Sequence, residues 1–79
     1  VVDDDALDAR AMAVTEELAS SATFALAMGK RMFRAAGPGS LEDFLELEAH
    51  AQNQAAQTLD HREGATAFRE KRAPVFRGC

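Results

Sequence analysis

The residue types best suited to bind a ligand lie near the end of the chain, in the run AFREKRAP. Phe68 and Lys71 are three positions apart, so on a helix they share one face. An aromatic ring beside a mobile cation suits a ligand that has both an apolar part and a phosphate. An alternative is that Phe68 packs into the core, while Lys71 and Arg72 complement the negative end of the helix dipole. The residues themselves leave both interpretations open.

The two histidines and the cysteine do not form a recognisable metal site. His61 and Glu63 are two positions apart and point to different sides of a helix, and His50 has no ligand at a metal-binding spacing. Cys79 is the single cysteine, so an internal disulfide and a cysteine-based metal site are excluded within one chain. We therefore expect solvated histidines, no metal, and a reducing, cytoplasmic location.

Other candidates for chemistry are weaker. Glu46 and Glu48 diverge on a helix, which favours a solvated face over a general acid and base pair. The segment Gly37-Pro38-Gly39 is too short to hold a phosphate and indicates a turn. The serines lack the Gly-x-Ser-x-Gly context of a nucleophile: Ser20, Ser21 and Ser40.

Composition describes a small globular protein. The 79 residues are 47% hydrophobic and 28% charged, and they include no Trp or Tyr. Alanine, Leu, Glu and Arg are frequent, which favours helix. The net charge is −4, and no broad basic face is present, so we expect no nucleic-acid partner. No apolar run approaches the roughly 18–20 residues of a membrane span, so we expect no membrane partner.

Apolar periodicity predicts an all-α chain of about four helices that forms a single helical segment over residues 1–79. Gly37-Pro38-Gly39 ends the second helix, and Pro74 ends the fourth. The predicted elements are helices at 4–19, 22–36, 41–59 and 61–72, and a tail at 73–79.

Polar residues at three positions predict helix starts. The pair Ser20-Ser21 ends the first helix and can cap the second. Ser40 and Asp43 form an aspartate variant of the capping box at the start of the third helix. Asp60 and Glu63 have the same spacing, which predicts a capping box at the start of the fourth helix.

The last part of the chain, LDHREGATAFREKRAPVFRG, resembles the C-terminal signature of the enoyl-CoA hydratase/isomerase (crotonase) family, approximately D-x-x-E-G-x-x-A-F-x-E-K-R-x-P-x-F-x-G. Upstream, the alanine-rich segment that supplies Lys30 and the segment from Gly39 to Asp60 resemble the helices that precede this signature. Ala22-Thr23 departs from the family pattern, which often has proline in that region. The matching residues are Asp60, Glu63, Gly64, Ala67, Phe68, Glu70, Lys71, Arg72, Pro74, Phe76 and Gly78.

The resemblance implies that the chain is the helical C-terminal region of a crotonase-fold enzyme, without the ββα-spiral core that carries the oxyanion hole and the acid/base glutamates. It implies no catalytic residue here and no cofactor, with a coenzyme A thioester as the substrate of the parent enzyme. By position, Phe68 would border the acyl pocket, at a neighbouring subunit, and Lys71 would reach the adenine-nucleotide phosphates. Arg72 would serve the structure. The family packs this region into trimers and into dimers of trimers, so a homo-oligomer is expected.

Two other interpretations remain open. The chain could be a free-standing helical module that self-associates through its apolar faces. Within the enzyme family, isomerases and thioester hydrolases differ from hydratases at acid/base positions that this segment does not contain. The expected function is therefore that of a helical oligomerisation and CoA-contacting part of an enoyl-CoA hydratase-like protein, acting in fatty-acid or related acyl-CoA metabolism and inactive as an isolated chain.

Overall fold

The computed structural model describes residues 1–37 and 39–79, and within these residues the fold is all-α, as predicted. A short 3₁₀ turn, Asp4–Ala6, leads into the first of four α-helices. The helices are α1 (Leu7–Ala19), α2 (Thr23–Ala35), α3 (Leu41–Ala56) and α4 (Leu59–Glu70). The predicted turn at Gly37-Pro38-Gly39 includes Pro38, which lies outside the described residues.

Side chains at the helix starts explain where two of the helices begin. The Ser40 hydroxyl accepts the Asp43 N–H at 3.1 Å, as expected for the third helix. Thr58, not Asp60, caps α4, because its hydroxyl accepts the His61 N–H at 3.1 Å. The predicted capping box of Asp60 and Glu63 is therefore wrong.

Two further sequence expectations about helix ends differ from the structure. Neither Ser20 nor Ser21 caps α2, because both hydroxyls donate to the Glu17 carbonyl at the end of α1. The third helix stops at Ala56 instead of continuing to Leu59, and the chain turns at Gln57 and Thr58. Because Leu59 continues the apolar spacing of α3, the periodicity of the sequence gives no sign of this turn.

The helices form a flat arrangement with very little core. The radius of gyration is 15.8 Å, whereas a compact domain of this length has a radius of gyration of about 12 Å. Helix α2 packs against α3, and α3 against α4, but α1 is exposed along nearly its whole length. Ala51 and Ala67 are the buried apolar residues of the described part of the chain. The arrangement thus leaves many large apolar side chains of the described residues exposed.

Several large apolar side chains are exposed on α1 and α2. Leu18 and Leu26 line a shallow groove between the two helices, and Phe33, at its far end, is 85% exposed. Separately, none of the described helices is long and apolar enough to cross a membrane.

Candidate functional site

Phe68 and Lys71 both lie at the C-terminal end of α4, and both are exposed. The Phe68 ring is 85% exposed, so the alternative in which it packs into the core of this chain is wrong. Lys71 lies one residue beyond the last helical residue, Glu70, so the two residues are not related by a shared helical face. They are instead joined through the backbone, because the Lys71 N–H donates to the Phe68 carbonyl at 3.3 Å.

The backbone of Lys71 is left-handed, with φ 55° and ψ 38°. Among the described residues, Lys71 is the only non-glycine with a positive φ. The Arg72 N–H donates to the Ala67 carbonyl at 3.1 Å, which with the bond from Lys71 to Phe68 makes a Schellman motif. Glycine is usual at this position, because a side chain there costs roughly 1–2 kcal/mol. Lysine at this position therefore has a backbone cost that glycine would avoid, which makes its side chain a candidate for a functional role.

Arg72 forms ion pairs on both sides of this turn. Its guanidinium donates two hydrogen bonds to the Glu63 carboxylate, at 2.6 and 2.9 Å. Its Nε donates to the Glu70 carboxylate at 2.7 Å. The Val75 N–H also donates to Glu63, at 2.9 Å. Arg72 and Glu63 therefore connect the end of α4 to the chain that leaves it.

Residues after Arg72 run back along α4 and are held at its first turn by Asp60. This carboxylate is only 3% exposed and accepts the N–H groups of Arg77 and Gly78 at 2.7 and 2.8 Å. The Asp60 N–H donates in turn to the Cys79 carbonyl at 2.9 Å. Asp60 and Glu63, one helical turn apart, thus hold a strap formed by residues 73–79.

The strap packs against two glycines, and one of them is required for its close approach. The Phe76 ring lies over Gly64, where a Cβ would be in ordinary van der Waals contact at 3.6 Å from a ring carbon, so this packing does not depend on glycine. Gly78 has φ 79°, and a Cβ there would come within 2.6 Å of the Thr23 hydroxyl oxygen on α2. Much of the terminal signature thus specifies how the strap packs. Of the signature residues at the end of α4, only Phe68 and Lys71 are exposed and take no part in holding the strap.

Sequence reasoning missed the structural roles of Asp60 and Glu63. The positions of Arg72 and Gly78 can be read from the sequence, but a capping box accounts for both acidic residues without any contact to more distant residues. The assignment of Arg72 to structure agrees with its contacts. Within the part of the chain that the structure describes, no three His, Cys, Asp or Glu side chains come together as potential metal ligands.

The stability provided by the Glu63 pair is expected to depend on pH. Hydrogen bonds from Arg72, and then from the Val75 N–H, lower the pKa of Glu63 from 4.5 to about 2. Because the folded pKa is depressed, the stabilisation is complete above about pH 4.5 and is lost as the pH falls towards 2. Urea unfolding of the protein between pH 2 and 6 should therefore show a steeper fall in the free energy of unfolding for the wild type than for Glu63→Gln.

All other carboxylates are present in both the wild type and Glu63→Gln. Subtracting one free energy of unfolding from the other at each pH therefore leaves the contribution of Glu63. Identical pH profiles would show that the Glu63–Arg72 pair does not contribute to stability.

Comparison with known proteins places the whole chain in one family. Residues 1–79 match the sequence model of the family described as enoyl-CoA hydratase/isomerase. The chain is 38% identical over 78 residues to the 1,2-epoxyphenylacetyl-CoA isomerase of Escherichia coli, covering 99% of this chain and 30% of that protein. It is 43% identical over 61 residues to a probable enoyl-CoA hydratase of Rhodobacter capsulatus, covering 77% of this chain and 24% of that protein.

A third relative is the putative enoyl-CoA hydratase/isomerase YhaR of Bacillus subtilis. It is 38% identical over 63 residues, covering 80% of this chain and 25% of that protein. The chain thus spans between 24% and 30% of the length of these three relatives. The match along its whole length shows that the chain belongs to the enoyl-CoA hydratase/isomerase family.

Proposed function

We propose that the chain is the helical oligomerisation and CoA-contacting part of an enoyl-CoA hydratase-like protein. The parent protein would add water across the double bond of a 2-enoyl-CoA thioester, in fatty-acid or related acyl-CoA metabolism. The hydroxyl group is added to C3 and the proton to C2. The observation that carries the proposal is the exposed Phe68 ring followed by an exposed Lys71 in a left-handed conformation.

Phe68 and Lys71 have the chemistry to contact two parts of the ligand. A flat apolar ring at the protein surface can border an acyl chain, and an ammonium group on a flexible stem is suited to a phosphate. Both residues are exposed here, as required if the ligand lies against another subunit. The strap keeps the end of α4 fixed, so that both side chains leave from a defined place. Neither residue is proposed to be catalytic.

Oligomerisation is supported by the apolar surface that this chain leaves open. Leu18, Leu26 and Phe33 line the groove between α1 and α2, which has a volume of about 660 Å³. Exposed apolar side chains continue on α3 and α4 with Leu41, Leu45 and Leu59, among others. Covering these side chains with the remainder of a crotonase fold and with neighbouring protomers, as a trimer or hexamer, would remove them from water.

The proposal predicts that the isolated chain of 79 residues does not hydrate crotonyl-CoA, whereas the parent protein does. The reason is that the oxyanion hole and the acid/base glutamates implied by the family lie outside this segment, and without them the thioester enolate is not stabilised. The measurement is loss of the enoyl thioester absorbance, with equal molar amounts of the two proteins. Hydration by the isolated chain, or none by the parent protein, would contradict the proposal.

The exposed apolar faces also favour a second candidate, a free-standing helical module that associates with itself. Sedimentation of the isolated chain tests this candidate, since a stable, defined oligomer supports it and a monomer opposes it. The name of the Escherichia coli relative supports an isomerase as the rival activity within the enzyme interpretation. Assaying the parent protein for double-bond migration, thioester hydrolysis and hydration distinguishes these activities.

A further inference from the structure

Lys71 lies between two residues that are held to each other. The Arg72 Nε donates to the Glu70 carboxylate at 2.7 Å, so one side chain bridges across Lys71. The backbone on either side is bonded to the last turn of α4, at Phe68 and Ala67. The peptide units of Lys71 are therefore restrained, and its side chain is the free part of the turn.

Glu63 anchors this bridge to the middle of α4. Its two carboxylate oxygens accept two parallel hydrogen bonds from Arg72, the arrangement that gives a guanidinium its directional specificity. The same carboxylate accepts the Val75 N–H, and Arg72 also donates to the Ala73 carbonyl at 3.1 Å. Glu63 thus fixes the chain both at the turn and just after it.

A restraint of this kind is needed because Lys71 has a backbone conformation that disfavours side chains. Without it, the turn can relax by unwinding the last residues of α4 or by rotating Lys71 to a negative φ. Either change moves the point and the direction from which the lysine stem leaves the backbone. The ammonium group then spends less time at any one position.

We propose that Glu63 and Arg72 are positioning residues that hold the Lys71 ammonium group for a nucleotide phosphate of the bound thioester. The inference rests on the proposed function, since the phosphate is that of coenzyme A. It adds that Lys71 binds effectively only while the Glu63–Arg72 latch, defined as the paired side chains of these two residues, is closed. The latch itself does not touch the ligand.

The test uses Glu63→Gln and Arg72→Lys in the parent protein, with two thioesters of the same acyl group. One is the CoA thioester, and the other is the pantetheine thioester, which lacks the nucleotide. Both variants should raise KM for the CoA thioester by about three- to tenfold, in line with the coupling found between contacting residues. The value of kcat for both thioesters and KM for the pantetheine thioester should not change. Arg72→Lys keeps the charge but loses the forked geometry, so it separates the latch from simple charge.

Repeating Glu63→Gln in a Lys71→Gly background shows whether the rise in KM depends on Lys71. If the latch acts through Lys71, Glu63→Gln should raise KM no further once the lysine is absent. An equal loss with both thioesters, or a full additional loss in the Lys71→Gly background, would show a general structural role and overturn the inference.

Failure of the latch and failure of the proposed function give different results. If Lys71→Gly leaves KM for the CoA thioester unchanged, the proposed role of Lys71 fails and the inference fails with it. If Lys71→Gly raises KM but neither latch variant does, only the latch fails. A crystal structure of the wild type with coenzyme A bound decides the matter even if the variants do not fold, because a negative φ at Lys71 or an open Glu63–Arg72 pair would overturn the inference.

Discussion

Asp60→Ala is expected to release residues 77–79 from α4 and to lower the free energy of unfolding of the parent protein by about 2–4 kcal/mol. The carboxylate accepts two short hydrogen bonds from Arg77 and Gly78 in a buried position, and bonds to a charged acceptor contribute about 1.5–3 kcal/mol each. The sum is reduced because the freed N–H groups can bond to water once the strap leaves. Urea unfolding gives the total, and hydrogen exchange at the Arg77 and Gly78 amides reports on the strap directly.

Two control variants show whether the loss is specific. Asp60→Asn keeps an acceptor oxygen without the charge, so its effect should lie between those of the wild type and Asp60→Ala. Glu48→Ala removes an exposed carboxylate from α3 and should change stability by no more than about 0.5 kcal/mol. Full protection of the two amides in Asp60→Ala would mean that the strap is held by other contacts, such as the packing of Phe76 on Gly64.

The sequence predicts features that depend on local chemistry. Apolar spacing of three and four residues is sufficient to identify four helices, and Ser40 with Asp43 marks a helix start that the structure reproduces. The turn at Thr58 is local too, but Leu59 preserves the apolar period across it. When periodicity and capping chemistry disagree over one or two residues, the boundary cannot be read from the pattern.

Features that depend on distant residues could not be predicted. Asp60 is bonded to amides 17 and 18 residues further along the chain, a contact that exists only after the strap has folded back. Glu63 likewise pairs with Arg72, nine residues away. The resemblance of the terminal signature identifies these residues as a set, but only the structure shows that most of them hold the strap.

The conformation of Lys71 was hidden for a different reason. Left-handed residues after a helix are usually glycine, and so the sequence gives no reason to end α4 at a lysine. The predicted helix therefore continued to Arg72, two residues beyond its actual end at Glu70. The error is informative, because a residue that contradicts a local preference is a candidate for a functional role.

Lys71→Gly in the parent protein is expected to weaken binding of the CoA thioester while preserving the fold. Loss of one charge-assisted contact to a phosphate should raise KM about five- to thirtyfold, equivalent to about 1–2 kcal/mol, with kcat nearly unchanged. Stability should stay the same or rise by up to about 1 kcal/mol, because glycine removes the strain of the left-handed backbone, although it loses more entropy on folding. Steady-state kinetics and urea unfolding of the same preparations measure the two effects.

Opposite signs for binding and stability separate a functional lysine from a structural one. Lys71→Arg keeps the charge and should retain most of the affinity, and Arg69→Gly, two residues earlier on the exposed surface of α4, should lower stability without a selective loss of CoA binding. If Lys71→Gly left KM unchanged, the left-handed lysine would be only a strained helix end. In that case glycine would fit the turn better than lysine, and nothing in the structure would explain why lysine stands there. A selective rise in KM, by contrast, accounts for both the conformation and the exposure of Lys71.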